Sequence, residues 1–421
     1  MLLFKRIFKN EYINTIISKV FSVILSLAQS IFVARFLGAE LKGTSEYISS
    51  VVSIGSIVIT FGMHQAYPFF KKTMDRESFF YDYTTAIIIL YSLYFLFAAG
   101  ALFLPLSLDI KSIIILIPVV GYANVVSYVC LIDNPNLKNF WWIITSIVDF
   151  ISIILLFFFA TRSFFWAIYI LMFVNLVRGI VYTIVIKPRI RVRKETFMLF
   201  GKLLRFGFFP MLALLMTTLN YRIDVLMLKS FESISEADIG VYSIGIMVAE
   251  KIVILPDTLK GILASKLSRG AKEEEVAKVS RLCFFTSLLI CILFFLVGNW
   301  GISFLYGGEY SNSYSIMMIC AAGAISVGFF KLIAQYNIVN KRQALNVLML
   351  SIAILVDVIF NLLFIPIWGI YGAALATAIG NFVCGLVFVI WFCVHSKTSF
   401  GKMILIQRED FRYIINIFRK G

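Results

Sequence analysis

Long apolar runs alternate with short polar segments along this chain, and each run approaches the roughly 20 residues that a helix needs to cross a bilayer. Twelve runs are legible, at 12–36, 45–66, 83–105, 112–132, 140–160, 164–186, 207–229, 240–264, 282–305, 313–339, 344–366 and 370–395. Each is expected to be a transmembrane helix. Composition agrees: of 421 residues 61% are hydrophobic and 14% charged, and a soluble domain needs far more polar surface.

The formal charge of +15 changes the picture only through its location. With both ends placed in the cytoplasm, most Lys and Arg fall in inner segments. The outer ones hold only Lys42, Lys111, Arg162 and Lys229, with Arg35 at a border. That asymmetry follows the positive-inside rule, so the basic balance reports orientation and contact with an anionic leaflet, not nucleic-acid binding. The start, MLLFKRIFKNEY, is expected to be an interfacial lead into an uncleaved first span: the run to Phe36 is too long for a signal-peptide core, and no small-x-small site ends it. At the other end, Ile404, Phe411, Ile415 and Phe418 share one face of an amphipathic helix on the inner leaflet. Six cysteines lie in apolar runs without Cys-x-x-Cys spacing, which indicates neither a metal site nor a disulfide framework.

The strongest break is a basic one. Lys187, Arg189, Arg191, Arg193, Lys194, Lys202 and Arg205 stand against the single acid Glu195. It divides the chain into an N-terminal bundle of six spans (1–186), a cytoplasmic linker (187–206), a second bundle of six (207–395) and a tail (396–421). Two halves of six spans share one orientation, so a pseudo-axis relating them runs along the membrane normal.

Charges inside spans cost about 2.5–3.5 kcal/mol each near the bilayer centre, and those that persist usually face a bundle interior or a wet cavity. They concentrate in Tyr221–Arg269, which carries Arg222, Asp224, Glu250, Lys251, Asp257 and Lys260. Lys19, Asp149, Arg178, Lys331 and Asp357 lie in other spans. Glu250 and Asp257, seven residues apart, are expected on one helix face, with Pro256 able to bend the helix beside them. Structural alternatives stand beside these readings. Lys260 and Arg178 can snorkel, Arg222–Asp224 can be a buried pair, and His64 reads as a packed polar residue. Trp141–Trp142 reads as an interfacial belt, and Gly38 and Gly43 as hinges of a tight outer turn. Acids and bases in the spans nearly balance, so the sign of any cavity depends on which faces point inward.

Four stretches carry a family resemblance: ARFLGAELKGTSEY (Ala34–Tyr47), RIDVLMLKSF with GVYSIGIMVAEKIVILPDTLKGILASKLSR (within Arg222–Arg269), LYGGEYSNS (Leu305–Ser313) and NVLMLSIAILVDVIFNLLFIPIWGIYGAALATAIG (Asn346–Gly380). In order and spread the chain resembles the Wzx-type O-antigen or capsule repeat-unit flippases, members of a superfamily that also holds multidrug exporters and lipid II flippases. The resemblance implies an all-α, MATE-like membrane protein of twelve helices in two bundles around a central cavity, working by alternating access. It implies an undecaprenyl-pyrophosphate-linked oligosaccharide as substrate, moved from the cytoplasmic to the periplasmic leaflet of a bacterial inner membrane. A polysaccharide polymerase and a chain-length regulator are the partners it suggests, and no cofactor beyond a coupling H+ or Na+. A pyrophosphate entering hydrocarbon needs cations to replace its water, and Lys19, Arg222, Lys251 and Lys331 are the candidates for that role. Asp149, Asp224, Glu250, Asp257 and Asp357 are candidates for ion coupling or charge pairing, and Arg35, Gly38 and Gly43 for the outer turn. A drug exporter of the same superfamily would instead want an acid-dominated cavity. A membrane polymerase or ligase would want a large outer loop with catalytic groups, whereas the outer loops here are short and show no Ser-His-Asp, metal or phosphate-loop pattern.

Overall fold

Gly38 decides how the chain begins. The computed structural model describes residues 11–161, 163–405 and 407, and in it helix α1 (Glu11–Thr60) is interrupted at Gly38, whose φ of 74° and ψ of 173° are non-helical. The apolar helical stretch Phe21–Thr73 has 53 residues, about 80 Å at 1.5 Å per residue, more than twice the hydrocarbon thickness. The Gly38 break therefore separates the first two expected spans. Gly43, in contrast, sits buried inside the helix that follows, so the expected outer turn is a one-residue kink rather than a loop. A second interruption at Gly62 (φ 63°) leads into α2 (Met63–Thr73).

The remaining elements of the first part are α3 (Arg76–Ala101), α4 (Leu108–Asp133), α5 (Pro135–Phe159) and α6 (Phe164–Ile186). Side-chain caps start several of them: Asp75 accepts from Ser78 N, and Asn134, followed by Pro135 in the first turn, accepts from Leu137 N. Next come α7 (Lys194–Lys229), α8 (Glu236–Ala249), a 3₁₀ turn (Glu250–Val253), α9 (Ile254–Ser268), α10 (Glu273–Tyr306), α11 (Ser313–Val339), α12 (Gln343–Trp368), α13 (Ile370–Ser396) and the short α14 (Phe400–Ile404). Among the described residues there is no strand, and eleven helical stretches are long and apolar enough to cross a membrane, the first holding two expected spans. This is a polytopic all-α membrane protein. Its many outward-facing Leu and Phe side chains, Leu96, Phe97 and Phe159 among them, suit a hydrocarbon environment and not water.

Two segments differ from expectation. Residues 268–282 do not form a separate interfacial helix, because no Gly or Pro interrupts Glu273–Val297, and α10 runs on continuously from its acidic start. The amphipathic lead and most of the amphipathic tail lie outside the described residues.

The chain divides into two compact units, Met1–Thr218 and Leu219–Gly421. Within the first, α1 packs on α4 and α5, and α4 on α6. Tyr67, Tyr83, Tyr91 and Phe79 form a buried aromatic core there. At Gly62 and Gly207 two backbones nearly touch: a Cβ on Gly207 would meet the Phe61 carbonyl oxygen at 2.3 Å. Within the same unit the linker is fastened to α3. Thr84 Oγ1 lies 3.1 Å from the Arg189 carbonyl, Arg191 N donates to Thr85 Oγ1 (2.8 Å), Thr196 Oγ1 donates to Asp82 (2.8 Å), and the Arg189 guanidinium donates to Tyr81. Within the second unit, α13 packs on α11 and α12, and small residues such as Gly323 and Gly385 bring backbones together.

Candidate functional site

Pro256 shapes the centre of the second unit. Lacking an N–H, it leaves the Ile252 carbonyl without its helical partner, and the chain passes through the 3₁₀ turn Glu250–Val253. Ser287 Oγ of α10 donates to that carbonyl at 3.3 Å. The turn breaks the α-helical register, so the seven-residue spacing of Glu250 and Asp257 no longer guarantees a shared face. Indeed their surroundings differ.

Asp257 is a paired carboxylate, with Lys260 Nζ at 2.7 Å from one oxygen and Lys331 Nζ at 2.6 Å from the other. Lys331 also stands 5.3 Å from the centre of the Tyr221 ring. Glu250 instead lines a small cavity of about 20 Å³ with Asn220, Tyr221, Thr377 and Asn381, enough for about one water. Arg222, Lys251 and Lys331 all act on it with opposite charge.

Deeper lie two acids that meet hydroxyls and amides. Asp224, 2% exposed, accepts from the Tyr242 hydroxyl and from Val225 N (2.9 Å), and Thr377 Oγ1 lies 3.3 Å away. Contacts from α7, α8 and α13 thus satisfy its carboxylate, and the positive charge of Arg222 also acts on it. Asp357, 4% exposed, accepts from Asn361 Nδ2 at 3.0 Å, and the described residues supply it no ion pair. Asn361 is fully buried, and its Oδ1 has no hydrogen-bond partner among the described residues. The second unit thus buries two carboxylates, Asp224 on α7 and Asp357 on α12, whose oxygens offer the chemistry that takes up a proton or a small hard cation.

The second unit thus holds Arg222, Asp224, Glu250, Lys251, Asp257, Lys331 and Asp357. Asp149 lies in the first unit on α5. It is buried, accepts from Gln29 Nε2 at 2.8 Å, and its Oδ1 has no hydrogen-bond partner among the described residues. Lys19 falls on α1, and Arg35 is exposed just before the Gly38 kink.

One residue, Lys138, escaped the sequence reading, and Trp142 gains a second role beside it. Trp142, read from the sequence as an interfacial belt residue, also donates its indole N–H to Ser22 Oγ at 2.8 Å. Its ring carries Lys138 Nζ at 4.3 Å and the Arg178 guanidinium at 4.4 Å, so both cations rest on one aromatic side chain. Lys138 lay hidden as the single base of a short inner segment; its i,i+4 spacing to Trp142 was the available signal.

Comparison with known proteins follows the same lines. Residues 8–256 match the profile of a family described as polysaccharide biosynthesis protein. No curated protein sequence matches the chain. Among solved structures, the inward-facing conformation of a multidrug resistance MATE family transporter of the MOP superfamily aligns with a TM-score of 0.66 at 13% identity, over 90% of this chain and 96% of that one. An outward-facing conformation of such a transporter gives 0.61 at 12% identity, over 93% and 96%. A MOP superfamily transporter from Pyrococcus furiosus, whose description notes a binding pocket of reversed polarity, gives 0.57 at 11% identity, over 93% and 96%. At these identities the likeness establishes the fold, which is that of the MATE transporters.

Proposed function

The chain belongs to the polysaccharide biosynthesis protein family, and from that membership we propose that it is a flippase for lipid-linked oligosaccharide repeat units. The family match carries this reading, because it joins glycan synthesis to a polytopic fold shared with transporters. In this reading an undecaprenyl-pyrophosphate-linked glycan moves from the cytoplasmic to the periplasmic leaflet of a bacterial inner membrane by alternating access, serving O-antigen or capsule synthesis. Both termini face the cytoplasm, and a polymerase takes up the product. The chain performs no bond chemistry of its own.

Asp357 supports ion coupling. A buried carboxylate without an ion pair is costly when charged, so binding of H+ or Na+ on one side of the membrane and release on the other changes the energy of the surrounding helices. Asp224 and Asn361 add oxygen acceptors on neighbouring elements. Lys251 and Arg222, together with Lys19, are the cations that would meet the pyrophosphate. Lys331 contributes chiefly through Asp257. A drug-exporter reading is less well supported, since the large polar cavity of the first unit is lined by a lysine and by no acid.

The test is reconstitution of the full chain in proteoliposomes carrying a fluorescent undecaprenyl-pyrophosphate-linked oligosaccharide on one leaflet. Transfer of the label to the other leaflet, accelerated by an imposed H+ or Na+ gradient, is the expected result. Absence of transfer with intact, correctly inserted protein would refute the flippase reading.

A further inference from the structure

Within the N-terminal unit a polar cavity of about 230 Å³ opens among α1, α2, α4, α5 and the Leu214 turn of α7. About 10–15 Å³ on this measure holds a single water, so the space takes a small polar group, and it falls short of the roughly 300–1,000 Å³ of drug-sized sites. One cation, Lys138, lines it, and no acid does. Lys138 rests on the Trp142 ring and makes no ion pair among the described residues, so its charge stays available.

The remaining lining mixes donors and acceptors. His64, 7% exposed, has an Nδ1 without a hydrogen-bond partner among the described residues, and its ring packs at right angles to Tyr128 with 5.2 Å between centres. Ser56 and Thr60 spend their only hydroxyl protons on the backbone carbonyls of Ser53 (2.9 Å) and Ile57 (2.7 Å), which leaves lone pairs as what they offer the cavity. Asn124, exposed on α4, supplies an amide with both capacities. A bare phosphate wants donors throughout, and an organic cation wants acids. Neither describes this lining. A polyhydroxylated ring that carries one negative charge matches it, because ring hydroxyls both give and accept while a carboxylate takes the ammonium.

We propose that this cavity is a subsite for one acidic sugar ring of the transported glycan, with its carboxylate on Lys138 and its hydroxyls on Ser56, Thr60, His64 and Asn124. The proposal rests on the flippase reading and narrows it to repeat units that contain a uronate.

Saturation-transfer NMR on the full chain purified in detergent tests it, with glucuronate, glucose and inorganic pyrophosphate as probes. Glucuronate should bind about ten-fold more tightly than glucose. Lys138→Gln should remove that advantage and Lys138→Arg should keep most of it. Asn124→Ala, a change at an exposed position with little folding risk, should weaken both sugars alike. Equal binding of glucose and glucuronate, glucuronate binding indifferent to Lys138→Gln, no sugar binding, or preferential binding of pyrophosphate that displaces glucuronate would each overturn the proposal. Transfer of lipid-linked glycan in proteoliposomes without glucuronate binding would sink this subsite alone, whereas absence of transfer would sink the flippase reading whatever the sugars do.

Discussion

Asp257 and Asp357 are both carboxylates in apolar runs, yet their neighbours give them opposite characters. Asp257 is neutralised by two lysines, whereas Asp357 has an amide. Asp357→Asn keeps the shape and hydrogen-bonding capacity and removes the charge. Gradient-driven transfer should fall at least about ten-fold while membrane level and thermal stability hold or rise, as loss of an unpaired buried charge predicts; thermal unfolding and flux measured on one preparation check this. Lys331→Met should cost stability, about 1–2 kcal/mol, because Asp257 keeps Lys260 and is 27% exposed. Adding Asp257→Leu should recover most of that loss, and a double change no more stable than the single one would show that the pair is not what holds these helices. Sequence alone identified every one of these charges, because hydrocarbon makes them conspicuous. It did not show which were paired, since partners such as Thr377 and Tyr242 are ordinary residues in apolar runs. Lys138 was missed for the opposite reason: a lysine in an inner turn is what topology already demands.

At the scale of elements, legibility follows the strength of the physical constraint. A bilayer fixes helix length narrowly, so most spans could be read to within several residues, whereas α7 begins at Lys194, inside the expected linker and well before the expected 207. Breaks are set by single residues whose effect reaches backward along the chain, and Pro256 opens the helix at Glu250–Val253, one turn before itself. A spacing argument that assumed an unbroken helix therefore does not by itself place Glu250 and Asp257 on one face, although the charge of Lys331 acts on both. Two glycines of α7 separate packing from propensity. Gly207→Ala must force apart backbones that would leave a Cβ 2.3 Å from the Phe61 oxygen, and should cost about 1–3 kcal/mol. Gly201→Ala meets nothing within 4 Å and should stabilise the same helix by about 0.5–1 kcal/mol. Opposite shifts in thermal unfolding are the expected outcome.

For the whole molecule, orientation is the property with the simplest test. Four of the six cysteines are buried, leaving Cys291 and Cys393 as partly accessible background to be replaced. With both replaced, Arg191→Cys should react with an impermeant maleimide only from the cytoplasm and Ser233→Cys only from the far side; reaction of both from one side would overturn the proposed topology. The fastening of the linker to α3 has a consequence of another kind. Arg189, Arg191, Arg193 and Lys194 spell out a run of trypsin sites, and most of these side chains are exposed, so composition alone predicts rapid nicking. A protease, however, must draw the backbone itself into its cleft, and here that backbone is held by Thr85 and, through Thr196, by Asp82. Digestion therefore becomes a clock for how often the segment lifts off. In the native chain it should run slowly, and Thr85→Val, which removes one acceptor worth about 1 kcal/mol, should speed it about five-fold without altering the fold.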